Sequence, residues 1–352
     1  LKIIWLIVSQ LRADHLGPYG NSWLPTKNID ALAKAGCLFT NAHSNYADGS
    51  AVRFEWLYGA KCDGNTTSAP AHSLPLLLSA IGYKTTLITD NYPLLHFYYH
   101  INAFDTILFI PGQGADRHFP ENFADKVFSK TQNPPKINAG SDLRPSADEI
   151  SRFLRNRENE KQSHSSAHRL FDAAGRFLEQ LTPDDNWFIL IDAFGLTPPW
   201  FAPTDFVHFR HQEDLDAISW PIACSVDLKS PSTKQAINHL RRAYADECVY
   251  YDSLINVFWP RIEAYYETAE PFRFFLLSDM SPLIGDDGFI LENPSKDHPI
   301  LTHQPMIVLG HDIDDNSQNA QPVLPVDIFA TMVEKTGIAH ANTNGGNVIE
   351  EL

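Results

Sequence analysis

Six apolar runs of strand length, with helical patterns between them, constrain what this chain can fold into more than any other feature. They are IIWLIV (3–8), KTTLIT (84–89), TILFI (106–110), WFILIDAF (187–194), FRFFLLSD (272–279) and PMIVLG (305–310). Most are continuously apolar, the pattern of strands covered on both faces. Strands alternating with helices imply an α/β fold, a mostly parallel central sheet flanked by helices on both faces. The helical patterns begin with NIDALAKAG (28–36), which has Asn28 as cap and Gly36 as stop. Next comes 167–181, with Leu170, Phe171, Ala174, Phe177, Leu178 and Leu181 on one face. A long pattern at 235–267 is expected to kink or break at Pro260, and a final helix spans 325–337. The polar stretch 131–166 lacks periodicity and reads as a surface excursion from a single domain over 1–352.

Composition narrows the partners. A formal charge of -16 argues against nucleic acid and anionic membranes, whose binders concentrate Lys and Arg. The opening LKIIWLIV is far shorter than the roughly twenty apolar residues a bilayer span needs, so it reads as a strand and not a signal peptide. A removed leader would leave no trace in a chain that does not begin with Met. Cys37, Cys62, Cys224 and Cys248 show no metal-like spacing, which favours free thiols in a reducing, cytoplasmic setting. A Cys37–Cys62 disulfide remains the alternative. The expected partners are another protein or further copies of the chain.

Several blocks carry a family resemblance. The opening LIVSQLRADHLGPYGN (6–21) leads to GCLFTNAHSN (36–45), followed by GYKTTLITDNY (82–92), NAFDTILFIPGQGAD (102–116) and NWFILIDAFGLTPPWFAPTDF (186–206). RRAYADECVYYDSLINVF (241–258), FFLLSDMSPLIGDDG (274–288) and PVLPVDIFATMVEKTGI (322–338) complete the series. In this order they resemble the sulfatases of the alkaline phosphatase superfamily, with the smaller C-terminal subdomain reduced or absent. The resemblance implies that superfamily's α/β fold, a Ca or Mg ion, and a formylglycine nucleophile generated in a C/S-x-P-x-R motif at a helix N-terminus.

At the matching positions the chemistry departs from the family. Two metal-binding aspartates correspond to Ser9 and Gln10, a third to Asp279, and the fourth ligand to Met280. The nucleophile position in GSAVR (49–53) is Gly49, and the motif's Pro is Ala51, while Arg53 is kept. Ser50 is one residue off, about 100° around a helix. Groups that are cationic in the family correspond to Asp90, Tyr92, Thr197, Asp287 and Glu292. At 4 Å and an effective dielectric of 20, each acid would cost a bound sulfate roughly 4 kcal/mol. The expectation is therefore no catalytic residue and no cofactor, with Asp279 the sole retained metal ligand.

Other charged residues read as structural. Arg53 is expected to pair with Asp48 or Asp279, and Arg12, Asp14 and His15 to tie the first loop to the following helix. His96 with His100, at i,i+4 spacing, and His208 with His211 lack a third convergent ligand. The leading reading is a sulfatase-family protein without sulfate-ester hydrolysis, serving in binding or as a scaffold. The alternatives are a metal-dependent hydrolase of sulfate or phosphate esters with Ser50 as nucleophile, and a structural protomer of a larger assembly.

Overall fold

The protein is seen here as a computed structural model that describes residues 1–62, 72–92, 103–112, 137–138, 145–146, 149–150, 153, 165–182, 184–211, 218–266, 271–292, 295, 297–338, 345–350 and 352. The first half contains β1 (Lys2–Val8), α1 (Lys27–Lys34), β2 (Cys37–Phe39), α2 (Gly49–Tyr58), α3 (Leu74–Ala80), β3 (Lys84–Thr89), β4 (Thr106–Phe109), β5 (Ile137–Asn138) and α4 (Ser166–Leu178). There follow β6 (Trp187–Ala193), β7 (Ile218–Ser219), β8 (Cys224–Ser225), α5 (Pro231–Tyr266), β9 (Phe272–Leu277), β10 (Leu283–Asp286), β11 (Phe289–Leu291), α6 (Pro299–Thr302), β12 (Met306–Gly310), β13 (Ser317–Asn319) and α7 (Pro325–Lys335).

Eight strands form the central sheet in the order β13-β2-β12-β9-β1-β6-β3-β4. The run β9-β1-β6-β3-β4 is parallel throughout. β12 runs antiparallel to both β9 and β2, so the sheet is mixed but mostly parallel. Successive side chains of a strand point to opposite faces, and β1 shows both faces covered. Ile4, Leu6 and Val8 join the core under α4 and α5, while Ile3, Trp5 and Ile7 join the core under α2 and α7. This two-sided cover is why the strand sequences are continuously apolar.

The parallel strands end together. Ser9 follows β1, Asp90 follows β3, Asp279 lies two residues past β9, and Asp192 is the second-to-last residue of β6. In sheets of this kind the carboxyl ends of the strands border the ligand crevice, and the expected positions do share that edge.

Three local expectations need correction. Helix α1 starts one residue earlier than expected, after Thr26, and Asn28 is not its cap. Its first-turn N–H groups are instead met from α5: Asp252 accepts from Asn28 N at 3.1 Å and Ile29 N at 2.8 Å. Helix α5 runs through Pro260 without interruption; the ring removes one N–H donor, and burial of Leu254, Ile255, Phe258 and Ile262 holds the helix together across it. Arg12 does not tie its loop to α1. It donates to Asp14 at 2.6 Å, to Asp286 at 2.9 Å and to the Pro282 carbonyl at 2.9 Å, fastening the loop to β10.

None of the four cysteines is in a disulfide, so the Cys37–Cys62 alternative does not form. Among the described residues no helix is long and apolar enough to cross a membrane. The 131–166 excursion falls largely outside the described residues.

Candidate functional site

The site is built around one guanidinium. Helix α2 begins at Gly49, capped by Asp48, whose Oδ1 accepts from Ser50 N at 2.8 Å and Ala51 N at 3.2 Å. One turn later Arg53 projects toward the ends of β1, β6 and β9. Its Nε donates to Asp192 Oδ2 at 2.8 Å and its Nη2 to Asp192 Oδ1 and Ser9 Oγ, both at 2.7 Å. Its Nη1 donates to Asp279 Oδ2 at 2.5 Å and to the Gly49 carbonyl at 3.0 Å. A guanidinium has five N–H donors, and all five are used here. The side chains of Arg53, Asp192 and Asp279 are buried. Of the two partners expected for Arg53, Asp279 is correct; Asp48 is occupied in capping α2.

Asp192 was not singled out from sequence. The available signal was an acid inside an otherwise apolar strand, since a buried charge of that kind must be paired. Its pairing partner was not legible, because Arg53 is 139 residues away.

Asp279 is bound on its other side too. Its Oδ1 accepts from Gln10 N at 2.9 Å and Met280 N at 2.7 Å, and Gln304 donates to its backbone carbonyl. Gln10 reaches it by adopting a left-handed conformation, φ 59°, uncommon for a residue with a side chain. Met280 contributes this backbone N–H to the cluster.

The nucleophile position is physically filled. A Cβ on Gly49 would run into Asp279 Oδ2 and would stand 3.0 Å from Arg53 Nη1. Glycine here accommodates the close approach of the ion pair. Ser50, the alternative nucleophile, makes its described hydrogen bond through its backbone N–H to Asp48. No described hydrogen bond joins its hydroxyl to a base, which an activated serine requires.

The charge-reversed positions separate. Asp90 is wholly buried, and the Phe194 N–H donates to its Oδ1 at 2.8 Å. Burial, with Asp192 adding its charge, pushes the Asp90 carboxyl up to about 7. Tyr92 packs near Phe109, and Thr197 donates to the Phe194 carbonyl at 2.7 Å. Asp287 and Glu292, expected to oppose an anion at close range, do not join the cluster. The Asp287 side chain is 81% exposed and meets His298 at 3.1 Å, and Glu292 is exposed as well. Solvent screens charges so placed, so the 4 kcal/mol figure does not apply to them. His208 and His211 form no ligand pair: His208 donates its backbone N–H to Asp246, and the His211 ring meets Arg242. His96 and His100 lie outside the described residues.

A hard dication wants several oxygen ligands free to face it. Here both oxygens of Asp192 are taken by Arg53, and those of Asp279 by Arg53 and two backbone N–H groups. Among the described residues no three His, Cys, Asp or Glu side chains converge as a metal-holding group. The residues as arranged do not fit the ion the resemblance implies.

The sequence profile of the family described as Sulfatase matches residues 2–338. The chain therefore belongs to the sulfatase family. Its fold resembles that of a phosphonate monoester hydrolase of Agrobacterium radiobacter, with 16% identity and a TM-score of 0.65 over 100% of this chain and 77% of that one. The protein BT4656, solved with its substrate D-glucosamine-2-N,6-O-disulfate, aligns at 14% identity and a TM-score of 0.68, covering 99% of this chain and 79% of that one. The C-terminal periplasmic domain of EcEptC from Escherichia coli, solved as a zinc complex, aligns at 12% identity and a TM-score of 0.65 over 100% and 87%. No curated protein sequence matches. Family membership, together with a zinc complex on the same fold, overturns the expectation that no cofactor belongs to this chain.

Proposed function

We propose that this sulfatase-family chain has lost sulfate-ester hydrolysis and serves in binding or as a scaffold on a hydrolase fold. The observation that carries the reading is the packing at Gly49: the position of the family's nucleophile has no side chain, and the Asp279–Arg53 pair fills the space one would need. Losing a single positioned electrostatic donor commonly costs 10²–10³ in rate. Losing the nucleophile removes the covalent route itself, and groups that act as a unit fail together. A second support is electrostatic. Asp192 and Asp279 share one guanidinium, so the buried charge there opposes an incoming sulfate. The binding role is supported by the crevice edge itself, which keeps a hydrogen-bonded polar cluster after the nucleophile has gone.

The test is turnover of an aryl sulfate and an aryl phosphate by the purified chain, expressed with and without formylglycine-generating machinery. No turnover above a heat-inactivated control is expected. Hydrolysis that is abolished by Ser50→Ala or Asp279→Asn would overturn the proposal and favour the non-standard hydrolase.

A further inference from the structure

A surface cleft of about 190 Å³ opens between α1, the short turn Gly17–Tyr19 and the edge strand β13. It shares no lining residue with the cluster around Arg53. Asp30 and Lys34 of α1 bring opposite charges to one wall, Asn316 and Gln318 belong to the facing wall, and Ala33 and Leu38 add apolar surface. An acid four residues before a lysine on a helix ordinarily pairs with it. Among the described residues no ion pair joins Asp30 to Lys34. Asp30 is tied instead to the turn: its Oδ1 accepts from Thr26 Oγ1 at 3.0 Å, and Thr26 Oγ1 accepts in turn from Gly17 N at 3.0 Å. A Cβ on Gly17 would strike that carboxyl, so glycine lets the turn close against it. The cleft therefore holds a positioned carboxylate whose Oδ2 lies outside these bonds, and the ammonium of an exposed lysine one helical turn away.

Two opposite charges held apart across a small cleft match a ligand that carries both signs. A simple amine would leave Lys34 unmatched, and a simple carboxylate would leave Asp30 unmatched. Size narrows the class further. An engineered cavity of about 150 Å³ holds benzene, so the cleft has room for about six to eight heavy atoms. We propose that it binds a small apolar α-amino acid as the zwitterion. The ammonium donates to Asp30, the carboxylate accepts from Lys34, and the side chain rests on Ala33 and Leu38. Charge-assisted hydrogen bonds at both ends supply the selectivity. The site stands whether or not the chain hydrolyses any ester.

The experiment titrates the full chain with L-valine and follows the backbone amide resonances by NMR. Saturable shifts are expected at residues 17–18, 30–34 and 316–318. Two analogues test the charges on the wild type alone, with no variant that must fold. Valinamide lacks the carboxylate and N-acetylvaline lacks the ammonium, and each should bind at least about tenfold more weakly, the worth of one hydrogen bond to a charged group. Lys34→Gln should weaken valine to the same degree and leave valinamide unchanged. Asp30→Asn, which keeps an acceptor for Thr26, should weaken valine and leave N-acetylvaline unchanged. The proposal is overturned by the absence of saturable shifts in the wild type, by shifts confined to other residues, by equal binding of valine and either analogue, or by valine binding that survives either substitution.

Discussion

Arg53 and Asp192 form a two-pronged ion pair between α2 and β6, with Nε–Oδ2 at 2.8 Å and Nη2–Oδ1 at 2.7 Å, both side chains buried. Removing one member of such a pair leaves a buried charge uncompensated, at a cost of about 3–5 kcal/mol. Arg53→Ala strands two carboxylates, those of Asp192 and Asp279, so the upper part of that range is expected in urea unfolding. Arg53→Lys should recover only part of the loss, because an ammonium cannot reproduce the planar fork. Equal stability of Arg53→Ala and wild type would mean that the pair is not formed in solution.

Gly49→Ala is a test of packing without any change of charge. The new methyl group must displace Asp279 from Arg53 or shift the start of α2, and overpacking of this kind costs roughly 1–3 kcal/mol. Gly49→Cys should be at least as destabilised and should gain no sulfatase activity when co-expressed with formylglycine-generating machinery. Chemical denaturation and an aryl-sulfate assay on the same preparations measure both.

Asp252→Ala should fray α1 from its first turn, since Asp252 takes over the capping that Thr26 does not provide through its side chain. Loss of an N-terminal cap costs about 1–2 kcal/mol. Faster amide exchange at residues 27–30, with the long helix α5 unaffected, would show that the loss is local.

Acid should weaken the attachment of the first loop. The Asp286 carboxyl is partly desolvated, which pushes its pKa up, but the Arg12 guanidinium outweighs this and holds it below the ordinary carboxylate range. A folded pKa below the unfolded one contributes stability that is present above the unfolded value near 4 and lost as pH falls through the folded value. Unfolding free energy should therefore decline more steeply below about pH 4 in the wild type than in Asp286→Asn. Parallel acid limbs for the two proteins would refute the assignment.

Much of the architecture was legible because it is locally encoded. WFILIDAF and FRFFLLSD are apolar without alternation, and both became inner strands covered on two faces. The common edge of Ser9, Asp90 and Asp279 followed from the parallel strand pattern. Asn28 shows where local reasoning stops: it is a good capping residue by type, yet a carboxylate 224 positions away satisfies that turn.

The sequence by itself determined that the chain has the sulfatase arrangement of strands and helices and that position 49 carries no nucleophile, because apolar period and residue identity are properties of the chain read in order. Only the tertiary structure decided that Asp192 is the main partner of Arg53, that Asp279 fills the space beside Gly49, and that Asp287 and Glu292 stand apart in solvent. Those facts depend on how the crossover connections bring strand ends and the α2 N-terminus to one point, where differences of a few ångströms separate a buried ion pair from a screened surface charge.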